Sequence, residues 1–187
     1  MADMGPDEHE QLRVAAELHR PLARAASLGR KHGMSLALFG ALTLALSALG
    51  PDYVGLSIGA VVLATGLVEW RVAPRLVHAD ASAPRILARS ECTLLAAIVV
   101  YCLLQLTTAR SSGEELARQV GGTGDLGIDV AEMAESFTLL VYVTVMAVAL
   151  AYQGGMALYY LRRRAMIATY QEQTPEWARK IVEALDK

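Results

Sequence analysis

Apolar residues in this chain come in long blocks, and the charged residues lie between them. Four stretches contain no Asp, Glu, Lys or Arg: 32–51, 53–68, 92–109 and 136–161. A helix that crosses a bilayer needs about 20 largely apolar residues, with a range of roughly 17–25. The pattern therefore predicts four transmembrane helices over about 33–50, 53–70, 92–109 and 136–161. The second is slightly short, and the fourth is long enough to tilt or to extend past the lipid. Soluble helices keep charge on one face; these segments keep none on any face.

The flanking segments have a different period. Over 7–31, Val14, Leu18, Leu22, Ala25 and Leu28 recur at spacings of three and four among Arg and Glu, which predicts an amphipathic helix with a kink or break at Pro21. Gly50-Pro51-Asp52 reads as a tight turn that folds the first two spans into an antiparallel hairpin, and Trp70 suits the interface at its end. The connector 72–91 contains Pro74 and Pro84, with a helix expected to start at Pro84 and run into the third span. In the loop 110–135, Glu114–Val120 reads as briefly helical, Gly121-Gly122-Thr123-Gly124 as a break, and Asp129–Glu135 as a new helix start. In the tail, Thr174 suits an N-cap and Pro175 the first helical position, and Ala178, Ile181, Val182 and Leu185 form one apolar face. The fold class expected is all-α: an integral membrane four-helix bundle of two antiparallel hairpins, with short amphipathic cytoplasmic helices at both ends. Its divisions are 1–32, 33–161 and 162–187, and the two end helices are expected to meet, each burying its apolar stripe. Whether the two hairpins are a duplication stays open.

Net charge is −2 over 187 residues, but its distribution carries an orientation. Five Lys and Arg precede the first span, four lie at 71–89 and six follow Leu161, against two, Arg110 and Arg118, on the other side. This split places both termini in the cytoplasm. Fourteen Arg against three Lys, with abundant Ala and Leu, suggests a bacterial source and hence the inner membrane. The first thirty residues lack an apolar signal-peptide core, so the first span is expected to serve as an uncleaved anchor.

Candidate chemistry is sparse. Cys92 and Cys102 are ten residues apart, about 15 Å along a helix, too far for a disulfide. Gly122–Gly127 matches GxGxxG but lacks the strand–helix context, and Gly122-Thr123-Gly124-Asp125 lacks the second intramembrane aspartate that a GxGD protease needs. His9, His19, His32 and His78 lie outside the spans or at their edges, with no metal-ligand spacing, so no cofactor, metal or catalytic constellation is expected. Glu69 and Glu91 sit at the inner ends of spans two and three, where they are expected to reach water or pair with Arg71 and Arg89; Arg162, Arg163 and Arg164 complete the inner-interface charges. Tyr101, Gln105, Thr138, Tyr142 and Gln153 mark a polar seam or path along spans three and four, and Gly55, Gly59 and Gly66 allow close helix packing, against span one or against another copy. These residues point to a non-enzymatic membrane subunit, scaffold or assembly factor. The alternative is a small homo-oligomeric channel or transporter using the polar path. The expected partners are the lipid bilayer and either a second copy or another membrane protein, with no nucleic acid.

Overall fold

In a computed structural model, residues 5–119 and 130–185 are described, with side chains outside 108–131. The described residues are helical apart from turns: α1 (Pro6–Ser47), α2 (Tyr53–Val72), a 3-10 turn (Ala73–Leu76), α3 (Ala83–Gln119), α4 (Val130–Gln173) and α5 (Glu176–Leu185). Among the described residues, three segments are long and apolar enough to cross a membrane: Tyr53–Leu76, Ala83–Thr107 and Glu132–Gln173. The Gly-rich break at 121–124 and the motifs built on it lie outside the described residues.

The amphipathic segment and the first predicted span form one helix. α1 starts with Pro6 in its first turn and the Gly5 N–H donating to Glu8 Oε2 at 3.0 Å, then continues through Pro21 without a break. Pro21 removes one backbone donor, but Leu22, Ala25 and Ala26 beside it are buried, so packing holds the helix. The apolar part of α1 is shorter than predicted. Leu49 and Gly50 lie in the turn after Ser47, which leaves residues 33–47 as apolar helix, about 22 Å at 1.5 Å per residue. Its outward face is strongly apolar, with Leu38 73% and Phe39 63% exposed. Asp52 closes the hairpin as expected: Oδ1 accepts from the Gly55 N–H at 2.8 Å, capping α2, and Oδ2 accepts from Ser47 Oγ at 3.1 Å.

The chain divides into two compact units, one of residues 1–93 and 156–187, the other of 94–155. α1 is continuous through residue 32 and α4 through residue 161. Residues 161–173 hold neither Gly nor Pro, so α4 carries Arg162–Arg164 into a helix that buries Ile167 and Tyr170 where a tail was expected.

The core of the first unit joins Leu22 and Ala25 of α1, Leu76, Leu87 of α3, Tyr160, Ile167 and Tyr170 of α4, and Ala178 and Val182 of α5. The two end helices thus share one core and α1 touches α5, but each stripe is buried only in part: Leu22, Ala25, Ala178 and Val182 are buried, while Leu28, Ile181 and Leu185 are exposed. Polar contacts hold the 77–82 connector to it. His19 Nε2 lies 3.0 Å from the Val77 carbonyl, Gln171 Nε2 donates to the Ala79 carbonyl at 2.9 Å, and His78 Nδ1 is 3.3 Å from Glu183. Asp80 accepts from the Ser82 N–H and Oγ just before α3, and these bonds hold its carboxyl below the usual range. Thr174 does not cap α5: its Oγ1 is buried without a hydrogen bond among the described residues, and the helix starts at Glu176.

Candidate metal centre

Glycine places the first two helices unusually close where α1 turns from charged to apolar. A Cβ on Gly33 would lie 2.8 Å from Glu69 Cβ and 2.8 Å from the Gly66 carbonyl oxygen. A Cβ on Gly66 would meet the Ala37 backbone, with the Gly33 oxygen at 2.7 Å. Gly40 and Gly59 continue the seam. Without side chains between them the backbones can touch, which sets His32, one residue before Gly33, beside Glu69. α3 adds Glu91, and the neighbouring Ser90 Oγ donates to the Thr65 carbonyl of α2 at 3.5 Å.

The result is a cluster that no two of these helices make alone. His32 Nε2 lies 3.7 Å from Glu69 Oε2 and 3.8 Å from Glu91 Oε1. One ligand atom from each of the three residues falls within 4.8 Å of the others. Both glutamates are 0% exposed, while the His32 side chain is 13% exposed. Apart from each other, the two carboxyl groups receive no hydrogen bond from another side chain or backbone group among the described residues. Arg71 and Arg89, the partners expected from sequence, are exposed; the ion pairs of the two acids among the described residues run to His32.

Burying one carboxylate costs several kcal/mol unless its charge is answered. Two of them against one imidazole leave at least one negative charge unanswered, even with His32 protonated. Such a cluster must hold protons or a cation. The geometry suits a cation. Metal–ligand bonds of about 2.1 Å at the tetrahedral angle place ligand atoms about 3.4 Å apart, within a few tenths of the nitrogen–oxygen separations here. One imidazole with two carboxylates is a donor set for Zn2+, Mn2+ or Fe2+; a thiolate, which would favour Cu+, is absent from it.

The other candidate residues have varied settings. Gly59 and Gly66 face α1, while Gly55 sits over Asp52 and Ser47 at the hairpin turn. In the second unit the Tyr101 and Tyr142 rings meet edge to face with centroids 6.0 Å apart, and Gln105 Nε2 donates to the Tyr101 hydroxyl at 3.0 Å. Thr138 does not join them, since its hydroxyl donates to the Ala134 carbonyl of its own helix. Gln153 is buried, but eleven residues beyond Tyr142 on α4 it lies about 16 Å further along. Tyr101, Gln105 and Tyr142 are thus the members of the expected seam that the structure brings into contact. Arg163 stacks on Tyr159, 4.3 Å from the ring centroid, and Arg162 and Arg164 are exposed. Cys102 is buried and Cys92 exposed.

His32 is the residue that local sequence spacing did not reveal as a ligand. The signal available was depth: His32, Glu69 and Glu91 each stand at the junction of a charged segment and an apolar one. No protein-family model matches the chain, and none of the curated proteins or solved structures compared with it is similar to it.

Proposed function

We propose that this is a non-enzymatic, four-crossing membrane protein that binds a divalent transition-metal cation through His32, Glu69 and Glu91, the bound ion cross-linking α1, α2 and α3. The observation that carries this reading is the pair of fully buried carboxyl groups from two helices that face each other and a histidine from a third. Ionisable groups buried among membrane helices are costly and point to a functional site. The scaffold or subunit role fits a cation that fixes helix positions. Three protein ligands also leave coordination positions open, and that favours a second reading in which the ion is carried across the bilayer. Uptake of Mn2+ into proteoliposomes above that of protein-free vesicles would select the second reading.

Equilibrium dialysis of the purified protein against Mn2+ or Zn2+ is expected to find one ion per chain. Because the ligands bind in their deprotonated forms, binding should weaken as pH falls. Less than one-tenth of an ion per chain at neutral pH would refute the site.

The fourth crossing is the apolar half of α1, whose exposed Leu38, Phe39, Leu42 and Leu46 suit lipid. Its helical length is short for the bilayer, a mismatch met by local thinning at modest cost. The Lys and Arg distribution supports cytoplasmic termini and a bacterial inner membrane. With the native cysteines replaced, Ser112→Cys should label from outside intact cells and Ala168→Cys should not; the reverse result would overturn the orientation.

A further inference from the structure

A groove of about 660 Å3 runs between α1 and the end of α2 at the level where both helices pass from charged to apolar sequence. Arg30 and Lys31 line it from α1, and Trp70, Pro74 and Met34 supply much of its apolar wall. No acid lines it, and neither Arg30 nor Lys31 forms an ion pair among the described residues. Two cations above an apolar wall, beside a tryptophan 38% exposed, match a ligand with an anionic head and a hydrocarbon body. Arg and Lys donate to phosphate oxygens, Trp prefers the headgroup level, and basic pockets between membrane helices on the cytoplasmic side hold anionic lipid headgroups.

We propose that this groove is a binding site for an anionic phospholipid, with Arg30 and Lys31 on its phosphodiester and Met34 and Trp70 against the glycerol and upper acyl chain. A free phosphate would use the cations but not the apolar wall, and a zwitterionic lipid would bring its own cation against them. The groove needs α1 and α2 to enter the membrane together. It does not need a cation at His32, Glu69 and Glu91, so the two sites stand or fall separately.

The test uses the full chain with Trp177→Phe, which leaves Trp70 as the one tryptophan, reconstituted in dioleoylphosphatidylcholine vesicles. Brominated phosphatidylglycerol is titrated in and Trp70 quenching is read against brominated phosphatidylcholine. Phosphatidylglycerol should reach half-quenching at a several-fold lower mole fraction, and Arg30→Gln with Lys31→Gln should abolish that preference. Arg71→Gln, which removes an exposed cation outside the groove, should preserve it. Equal quenching by the two lipids would overturn the proposal, as would a preference that survives in the double variant or is lost equally in Arg71→Gln. Loss of the preference on adding millimolar inorganic phosphate at constant ionic strength would also overturn it, by assigning the site to the free anion. If the double variant fails to reconstitute, Arg30→Gln and Lys31→Gln are tested singly; each should weaken the preference, and a preference unchanged in both would overturn the proposal.

Discussion

Glu91→Gln is expected to make the cation-free protein more stable, by about 1–3 kcal/mol, because it removes one of two buried charges that protein groups do not fully answer. The glutamine amide can donate to the Glu69 carboxylate whatever the pH, which a glutamate at 91 can do only while protonated. The same change removes a ligand. In the wild-type chain a divalent cation at about a hundred times its dissociation constant should stabilise the fold by about 2.7 kcal/mol; in Glu91→Gln this shift should largely vanish. Thermal unfolding in detergent, with and without Mn2+ and with chelator, reads both effects. The two signs are diagnostic together: a purely structural glutamate would give a less stable variant, and a cation bound elsewhere would still stabilise it. Either result contradicts the centre.

The second large effect is steric. Gly66→Leu should destabilise the chain by about 3 kcal/mol and abolish cation binding, although residue 66 is not a ligand. Its side chain would have to enter the backbone of α1 at Gly33 and Ala37, and α1 can yield only by moving away from α2, taking His32 from Glu69. Cation binding by dialysis and unfolding in detergent check the pair of losses. The contrast lies on α4, where a Cβ at Gly154 or Gly155 would meet nothing within 4 Å. There Gly→Ala should be neutral or stabilising by up to about 1 kcal/mol, since it lowers the cost of ordering the helix. Equal tolerance at 66 and 154 would show that the α1–α2 approach is not close.

What the sequence revealed and what it did not can be traced to range. Hydropathy and short-range chemistry decide whether a segment is an apolar helix, so the apolar character of α2, α3 and α4, the Asp52 turn and the helix start near Pro84 were legible along the chain. Continuity across a junction was not. Pro21 and Arg162–Arg164 are signals for an end, yet burial of Leu22 and of Ile167 and Tyr170 outweighs them, and that burial depends on residues far away in sequence. The length of the first span failed for a related reason: Leu49 and Gly50 are apolar enough for lipid, but Asp52 draws the chain into its turn before them.

The metal centre was least legible because its ligands come from three helices, 37 and 22 residues apart in sequence, with no local motif. Glu69 and Glu91 were visible as interface charges, and an arginine two residues from each offered a sufficient partner. Both arginines are exposed instead, and on α2 the glycine seam turns the Glu69 face toward α1. The glycines were legible as packing residues, but only the folded chain shows that what they pack is the approach of a histidine to two acids.

X-ray absorption at the metal edge of the Zn2+-loaded protein should show a first shell of nitrogen and oxygen at about 2.0–2.1 Å, the distances of Zn–imidazole and Zn–carboxylate bonds, with the outer-shell scattering of one imidazole. That scattering should disappear in His32→Ala, and the oxygen shell should change in Glu69→Gln and Glu91→Gln. A spectrum showing sulfur ligands, or one unchanged by all three substitutions, would contradict a metal centre at these residues.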